Sequence, residues 1–277
     1  MVHNKLSIAA AAVGLLALTA TGAGSANAAD VTPSLAGAPT GWSIDRYAPD
    51  SFGDVGNFQG HNDVLGIGIG PNGDSANRPA GQQGSFYNTQ GMGLPLFGGV
   101  GDSVTLQLYI PASWLNAANG ARRTDMWVVV NDPGSAPDPH DYPILGFTND
   151  DGTDAFAGFR AWGSVNGVWD NLTSAGVLAD AWNTLSITDL AGNNFQYSVN
   201  GVVQATIAGD PTDTTFSRLL MQAYNFNDPL LASNPTGAPV VTAYDAHWSN
   251  NVPEPASMAL LSAGLLGLGV VRRRRRG

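Results

Sequence analysis

Four oxygen-bearing side chains fall within six residues at Asn149, Asp150, Asp151 and Asp154. Calcium takes six to eight oxygen ligands, and short Asp/Asn/Gly loops bring such ligands together. The run is therefore a candidate calcium loop, with calcium as the candidate cofactor. It is not an EF-hand loop, because no Glu follows at the twelfth position. A second acidic group comprises Asn131, Asp132, Asp138, His140 and Asp141. The two groups flank the segment from Ile144 to Thr148 at opposite ends, so they would form two separate sites. Asp and Asn are also ordinary turn residues, and solvated turns are the alternative.

Near these loops stand Tyr142, Trp162 and Trp169, with Arg160 in strand register with Trp162. An exposed ring stacks on the apolar face of a pyranose, while neighbouring polar groups bond its hydroxyls. The four residues read as a carbohydrate-binding surface, with core packing of the rings as the alternative. Trp169 lies in Val168-Trp169-Asp170-Asn171, polar turn-like surroundings that favour exposure.

Composition removes other chemistries. There is no Cys, so thiolate nucleophiles, iron–sulfur clusters, zinc–thiolate sites and disulfides are excluded. There is no G-x-S-x-G, and Gly66-Ile67-Gly68-Ile69-Gly70 lacks the following helix that a phosphate loop needs, so it reads as a closely packed strand. His3, His61, His140 and His247 show no metal-ligand spacing. Between Asp30 and Asn251 stand 21 Asp and 6 Arg, with no Glu or Lys, a net charge of −15. Such a surface repels nucleic acid and anionic lipid, and favours divalent cations, neutral glycans or cationic partners. Solubility in a salty medium explains it equally well.

The elements that must position these residues are strands. Val104 to Ile110 alternates apolar and polar, as a half-buried strand does. Met126 to Val130 is a denser run that suits a central strand. Further strands are expected at Ile144–Thr148, Ala155–Trp162, Trp182–Thr188, Asn194–Val199, Val202–Ile207, Phe216–Phe226 and Val240–Trp248. Asn200-Gly201 is a type I′ hairpin turn. Only Ala112 to Ala118 suggests a short helix or turn. Many short strands with Gly, Asn, Asp and Pro turns predict an all-β, two-sheet antiparallel sandwich of jelly-roll type.

Both ends read as targeting segments. Lys5 precedes an apolar run from Leu6 to Ala20, and Ala26-Asn27-Ala28 fits an A-x-A cleavage site, a secretory signal peptide for the general secretion machinery. At the other end Pro253-Glu254-Pro255 precedes sixteen apolar or small residues, Ala256 to Val271, and then Arg272, Arg273, Arg274, Arg275 and Arg276. As a helix this transmembrane span is roughly 24 Å long, slightly short of the roughly 30 Å hydrocarbon core. The arginines keep the C-terminus cytoplasmic. The implied organisation is a signal peptide (1–28), a flexible lead-in (29–40), a β-sandwich (41–250) and a sorting tail (251–277).

That tail resembles the sorting signal of PEP-CTERM proteins. The resemblance implies an exosortase-type membrane protease as partner, cutting near the Pro-Glu-Pro in a Gram-negative bacterium that makes exopolysaccharide. It implies transient anchoring in the inner membrane, then the cell surface or extracellular matrix. In the body, Trp182-Asn183-Thr184-Leu185, Phe195 through Asn200-Gly201 and the closing Ala243 to Trp248 resemble concanavalin A-like, laminin-G and pentraxin jelly rolls. The resemblance implies a core position for the Trp182 ring, a last strand returning beside the N-terminal one, and ligands on one sheet face or its rim. Jelly-roll glucanases of this kind usually carry a Glu pair on one strand. Here the only Glu is Glu254, in the tail.

The sequence thus favours a non-catalytic exopolysaccharide-binding module. A structural matrix protein without a specific ligand, and an Asp-based glycan hydrolase or lyase, remain as alternatives. N-terminal sequencing of the exported protein is expected to start at Ala29 or Asp30. Retention of residues 1–28 would remove the signal-peptide reading.

Overall fold

Period-two alternation of side chains dictates how this chain layers. The computed structural model describes residues 29–131, 141–150, 156–163, 165–226 and 243–251. Fifteen strands lie among them. The first five are β1 (Ala29–Asp30), β2 (Ser43–Ile44), β3 (Ser51–Asp54), β4 (Leu65–Ile69) and β5 (Thr89–Gly99). Next come β6 (Asp102–Ile110), β7 (Arg123–Asn131), β8 (Ile144–Thr148), β9 (Gly158–Gly163) and β10 (Val168–Asn171). The last are β11 (Ala181–Leu190), β12 (Asn194–Val199), β13 (Val202–Ala208), β14 (Thr215–Tyr224) and β15 (Tyr244–Ser249).

The strands form two sheets. One has the order β13-β12-β11-β6-β15-β4-β3, with β1 pairing β6, and the other β10-β9-β8-β7-β14-β5-β2. All pairs are antiparallel except β1–β6. This is the expected all-β sandwich, consistent with a jelly roll. The closing strand β15 fits between β4 and β6. The hairpin at Asn200-Gly201 has φ of 51° and 77°, as a type I′ turn requires.

Inward residues of both sheets make one core. On β6 these are Val104, Leu106, Leu108 and Ile110; on β7 they are Met126, Val128 and Val130. Three polar side chains join the layers. Trp248 Nε1 donates to Thr124 Oγ1 at 2.9 Å, Tyr244 Oη donates to the Arg123 carbonyl at 2.8 Å, and Tyr197 Oη donates to the Trp162 carbonyl at 2.7 Å. With no disulfide available, apolar burial and these bonds hold the sandwich.

Several expectations are corrected. Trp182 lies outside the core: Leu185 and Ile187 point inward, so the alternation puts residue 182 on the outer face. There it stacks on His61 at 4.2 Å and donates to the Gln59 carbonyl. Residues 29–40 are built into the fold rather than loose, because Leu35 is fully buried in the core and β1 pairs β6. The short helix or turn expected at Ala112–Ala118 is present, as two 3-10 turns at Ala112–Leu115 and Ala117–Asn119. Two strands, β5 and β10, have no clear sequence pattern. β5 carries Gly and Pro, and β10 resembles a turn.

Among the inward polar residues, Asp189 carries a carboxyl. Asp189 shares the inward parity of Leu185 and Ile187, is fully buried, and neither carboxylate oxygen has a hydrogen-bond partner among the described residues. Burial, helped by the charges of Asp102 and Asp141, pushes its carboxyl up to about 7. A carboxyl whose pKa rises on folding stabilises the fold fully only below its unfolded pKa, and that contribution is lost as pH rises through 7. Burial lowers His61 and His247, which act with the opposite sign. The difference between wild type and Asp189→Asn in urea unfolding therefore isolates the carboxyl. From pH 5 to 8 the variant should gain on the order of 2 to 3 kcal/mol relative to wild type. A pH-independent difference would contradict this.

Candidate functional site

Strand β7 presents a second set of side chains to the outside of its sheet. Arg123, Asp125, Trp127 and Val129 alternate with the core residues. Register then fixes their neighbours. Leu220 on β14 lies opposite Trp127, and Ile144 on β8 lies opposite it on the other side. Ile144 pairs with Trp162 on β9, and Trp162 with Trp169 on β10. An apolar and aromatic row therefore crosses five strands. A second row runs beside it from Gln222 through Asp125 and Gly146 to Arg160.

Contacts confirm that these residues share one face. Trp127, Val129, Ile144 and Leu220 form an apolar cluster separate from the core, with Tyr142, Trp162 and Trp169 packed on it. Tyr142 stacks on Trp127 at 5.8 Å and Trp162 meets Trp169 at 5.3 Å. The Arg160 guanidinium lies 3.9 Å from the Trp169 ring centroid, and that of Arg123 lies 4.8 Å from the same ring. All four residues expected to bind carbohydrate thus come together. Trp169 is not in a turn, however: it occupies edge strand β10 and is half-buried, because Trp162 lies opposite it.

An open pocket of about 520 Å³ continues this row. Its lining includes Asp45, Arg46, Phe86, Trp127, Tyr142 and Leu220. Arg46 lies over the Phe86 ring at 4.5 Å and the Trp127 ring at 4.6 Å. Burial and the charge of Arg123 lower its pKa, and Asp45 opposes that shift. Arg123 Nε holds Asp125 Oδ2 at 2.6 Å, and Gln222 Nε2 donates to Asp45 Oδ2 at 3.0 Å. Among the described residues, Asp125 Oδ1, Gln222 Oε1, and Nε1 of Trp127 and Trp162 are buried on this face without a hydrogen-bond partner.

Gly146 makes room for the polar row. A Cβ there would overlap Asp125 Oδ1 and the Thr124 carbonyl. Only the absence of a side chain lets the carboxylate lie flat over β8.

The described residues of the acidic loops, Asn149, Asp150 and Asp141, have neighbours in the fold. Asn149 Oδ1 accepts from the Arg122 amide, and its Nδ2 donates to the Trp114 and Gly120 carbonyls. This side chain fastens the 112–122 loop, which leaves little of it for a cation. Asp150 is buried next to it. Asp151 and Asp154 lie outside the described residues, as do Asp132, Asp138 and His140. Asp141 is buried and accepts from the Tyr142 and Asp210 amides. Burial raises its pKa against those two bonds. Among the described residues no cluster of three or more His, Cys, Asp or Glu is placed to hold a metal ion.

Sequence reasoning missed Arg46, Phe86, Trp127 and Asp125. Trp127 read as part of a central strand, and its outward parity was the available signal. Arg46 and Phe86 reach the site from loops around β2 and β5, and no local pattern places them there.

Residues 251–276 match the PEP-CTERM protein-sorting motif. The motif marks an exported protein, anchored in the membrane by its C-terminus until exosortase processing. The span 256–271, the processing residues around Pro253 and the cleavage residues Ala26 and Ala28 lie outside the described residues, among which no helix is long and apolar enough to cross a membrane. No curated protein sequence is similar to this chain. An endo-beta-1,4-glucuronan lyase from the fungus Trichoderma reesei is 13% identical with a TM-score of 0.42, covering 77% of this chain and 91% of its own. A Bacillus licheniformis beta-glucanase is 15% identical with a TM-score of 0.39, covering 76% and 90%. A beta-1,3-glucanase from Mycobacterium marinum is 13% identical with a TM-score of 0.40, covering 79% and 95%.

Gly146→Ala tests the packing of the face. It should push Asp125 off Arg123 and destabilise the fold by about 1–3 kcal/mol. A wild-type urea midpoint would show that the polar row does not need the glycine.

Proposed function

We propose that this chain is an exported, non-catalytic glycan-binding module that acts at the cell surface or in the extracellular matrix of a Gram-negative bacterium. The observation that carries the reading is the aromatic row of the seven-stranded sheet, flanked by polar atoms without partners among the described residues. Rings offer flat apolar faces to sugar rings. Unpaired buried donors and acceptors are costly, and sugar hydroxyls or ordered water would satisfy them. The producing cell's own exopolysaccharide is the natural ligand class for a protein with this sorting tail.

Binding is favoured over cleavage by the state of the carboxylates. A hydrolase needs a proton donor and a second carboxylate across the scissile bond. Asp45 and Asp125 are the carboxylates of this face among the described residues, and arginine or glutamine side chains engage both. Calcium enters the reading only through Asp150 and residues 151 and 154, since Asn149 is committed to backbone bonds.

Retention of the purified exported protein on insoluble polysaccharides, with calcium and with chelator, tests the proposal. Wild type should be retained, and Trp169→Ala should weaken retention about tenfold or more while the fold persists, since the ring sits on an edge strand. Equal retention of both proteins would remove the face from the function. Loss on chelation, absent in Asp150→Asn, would assign calcium a part.

A further inference from the structure

The overall charge of this chain points away from acidic ligands, but its arginines are not spread evenly. Of the 6 Arg between Asp30 and Asn251, Arg78 is buried and bonds the Gly73, Gln82 and Gly84 carbonyls. Arg122 bonds the carbonyls of its own loop. The other four, Arg46, Arg123, Arg160 and Arg218, all lie on the outer face of the seven-stranded sheet. Asp45 and Asp125 accompany them. A protein otherwise dominated by Asp thus gathers its positive charge where the aromatic row lies.

Arg46 differs from the other three. Arg123 is tied to Asp125, Arg218 to Ser43 and Asp45, and Arg160 to its own neighbours. Among the described residues, the Arg46 guanidinium has no hydrogen-bond partner, and its ionic neighbour there is Asp45, adjacent in sequence, at 3.7 Å. The Phe86 and Trp127 rings hold it in place, and it lines the pocket with 21% of its side chain exposed. A guanidinium has five N–H donors in a rigid fork suited to two oxygens of one anion. Fixing that fork on aromatic rings beforehand removes much of the ordering entropy of binding.

We propose that Arg46 anchors an oxyanion carried by the glycan, a uronate carboxylate or a sulfate ester, so that the face selects acidic over neutral polysaccharide. This rests on the glycan-binding reading of the same face. The local arginine excess supports the selection, and the Asp-rich remainder discourages an acidic polymer from binding elsewhere on the molecule. The ring row holds the sugars, while Arg46 recognises the substituent.

The test uses the exported protein and three soluble probes on one backbone: hydroxyethylcellulose, a cellulose oxidised to polyuronate at C6, and a sulfated cellulose. Affinity electrophoresis or calorimetry reads the binding. At least one charged probe should bind about tenfold more tightly than the neutral one. The polyuronate leading identifies carboxylate; the sulfated polymer leading identifies sulfate ester. Arg46→Gln should erase most of that margin and leave the neutral affinity within about twofold. Arg46→Lys, which keeps the charge and stem, should retain more of the margin than Arg46→Gln. Equal binding of neutral and charged probes, or an unchanged margin in Arg46→Gln, overturns the anchor and leaves glycan binding standing. Binding of none of the three probes overturns both.

Discussion

Strand β7 is buried on both faces, and the rest of the arrangement depends on it. Its inward residues Met126, Val128 and Val130 lie in the core between the sheets. Its outward residues Trp127 and Val129 form a second apolar layer on the other side. A strand with only one buried face would leave the outside of the sheet polar and flat. This one needs covering, and Tyr142, Trp162, Trp169 and Arg46 supply the cover. The aromatic face is therefore a consequence of sheet packing as well as a candidate binding surface.

The polar chemistry of that face is arranged by what lies beneath it. Thr124, on the inward side of β7, bonds Trp248 and the Gln222 carbonyl. That fixes β7 against β15 and β14, and hence the positions of Arg123, Asp125 and Gln222 above them. Gly146 leaves space for Asp125 to lie across β8. The core bonds and the outer ion pairs thus share the same strands. A disturbance to one layer should reach the other through the backbone.

Charge composition misleads when it is averaged. The net charge from Asp30 to Asn251 suggests that anions are repelled everywhere. Folding gathers four of six arginines on one face and places two in structural roles. Electrostatic recognition is local because screening limits the range of charge to about 10 Å at ordinary salt. The sign of the nearest patch, and not the sum, decides what docks there.

The sequence by itself determined the sorting motif at 251–276, the layer class and most strands. The Pro-Glu-Pro tail is a local signal, and period-two alternation is local as well, so β6, β8, β11 and β12 were legible within a residue or two. That Arg160, Trp162, Trp169 and Tyr142 would lie together was legible too, since the first three sit on the neighbouring strands β9 and β10 and Tyr142 just precedes β8. Tertiary structure alone decided the sides and the long-range partners. It turned Trp182 outward, committed Asn149 to the 112–122 loop, and buried Asp189. It brought Arg46 and Phe86, from distant loops, onto Trp127. The physical reason is that a strand's two faces are equivalent until its neighbours are known, and those neighbours are set by pairings across more than a hundred residues, such as Trp248 with Leu108.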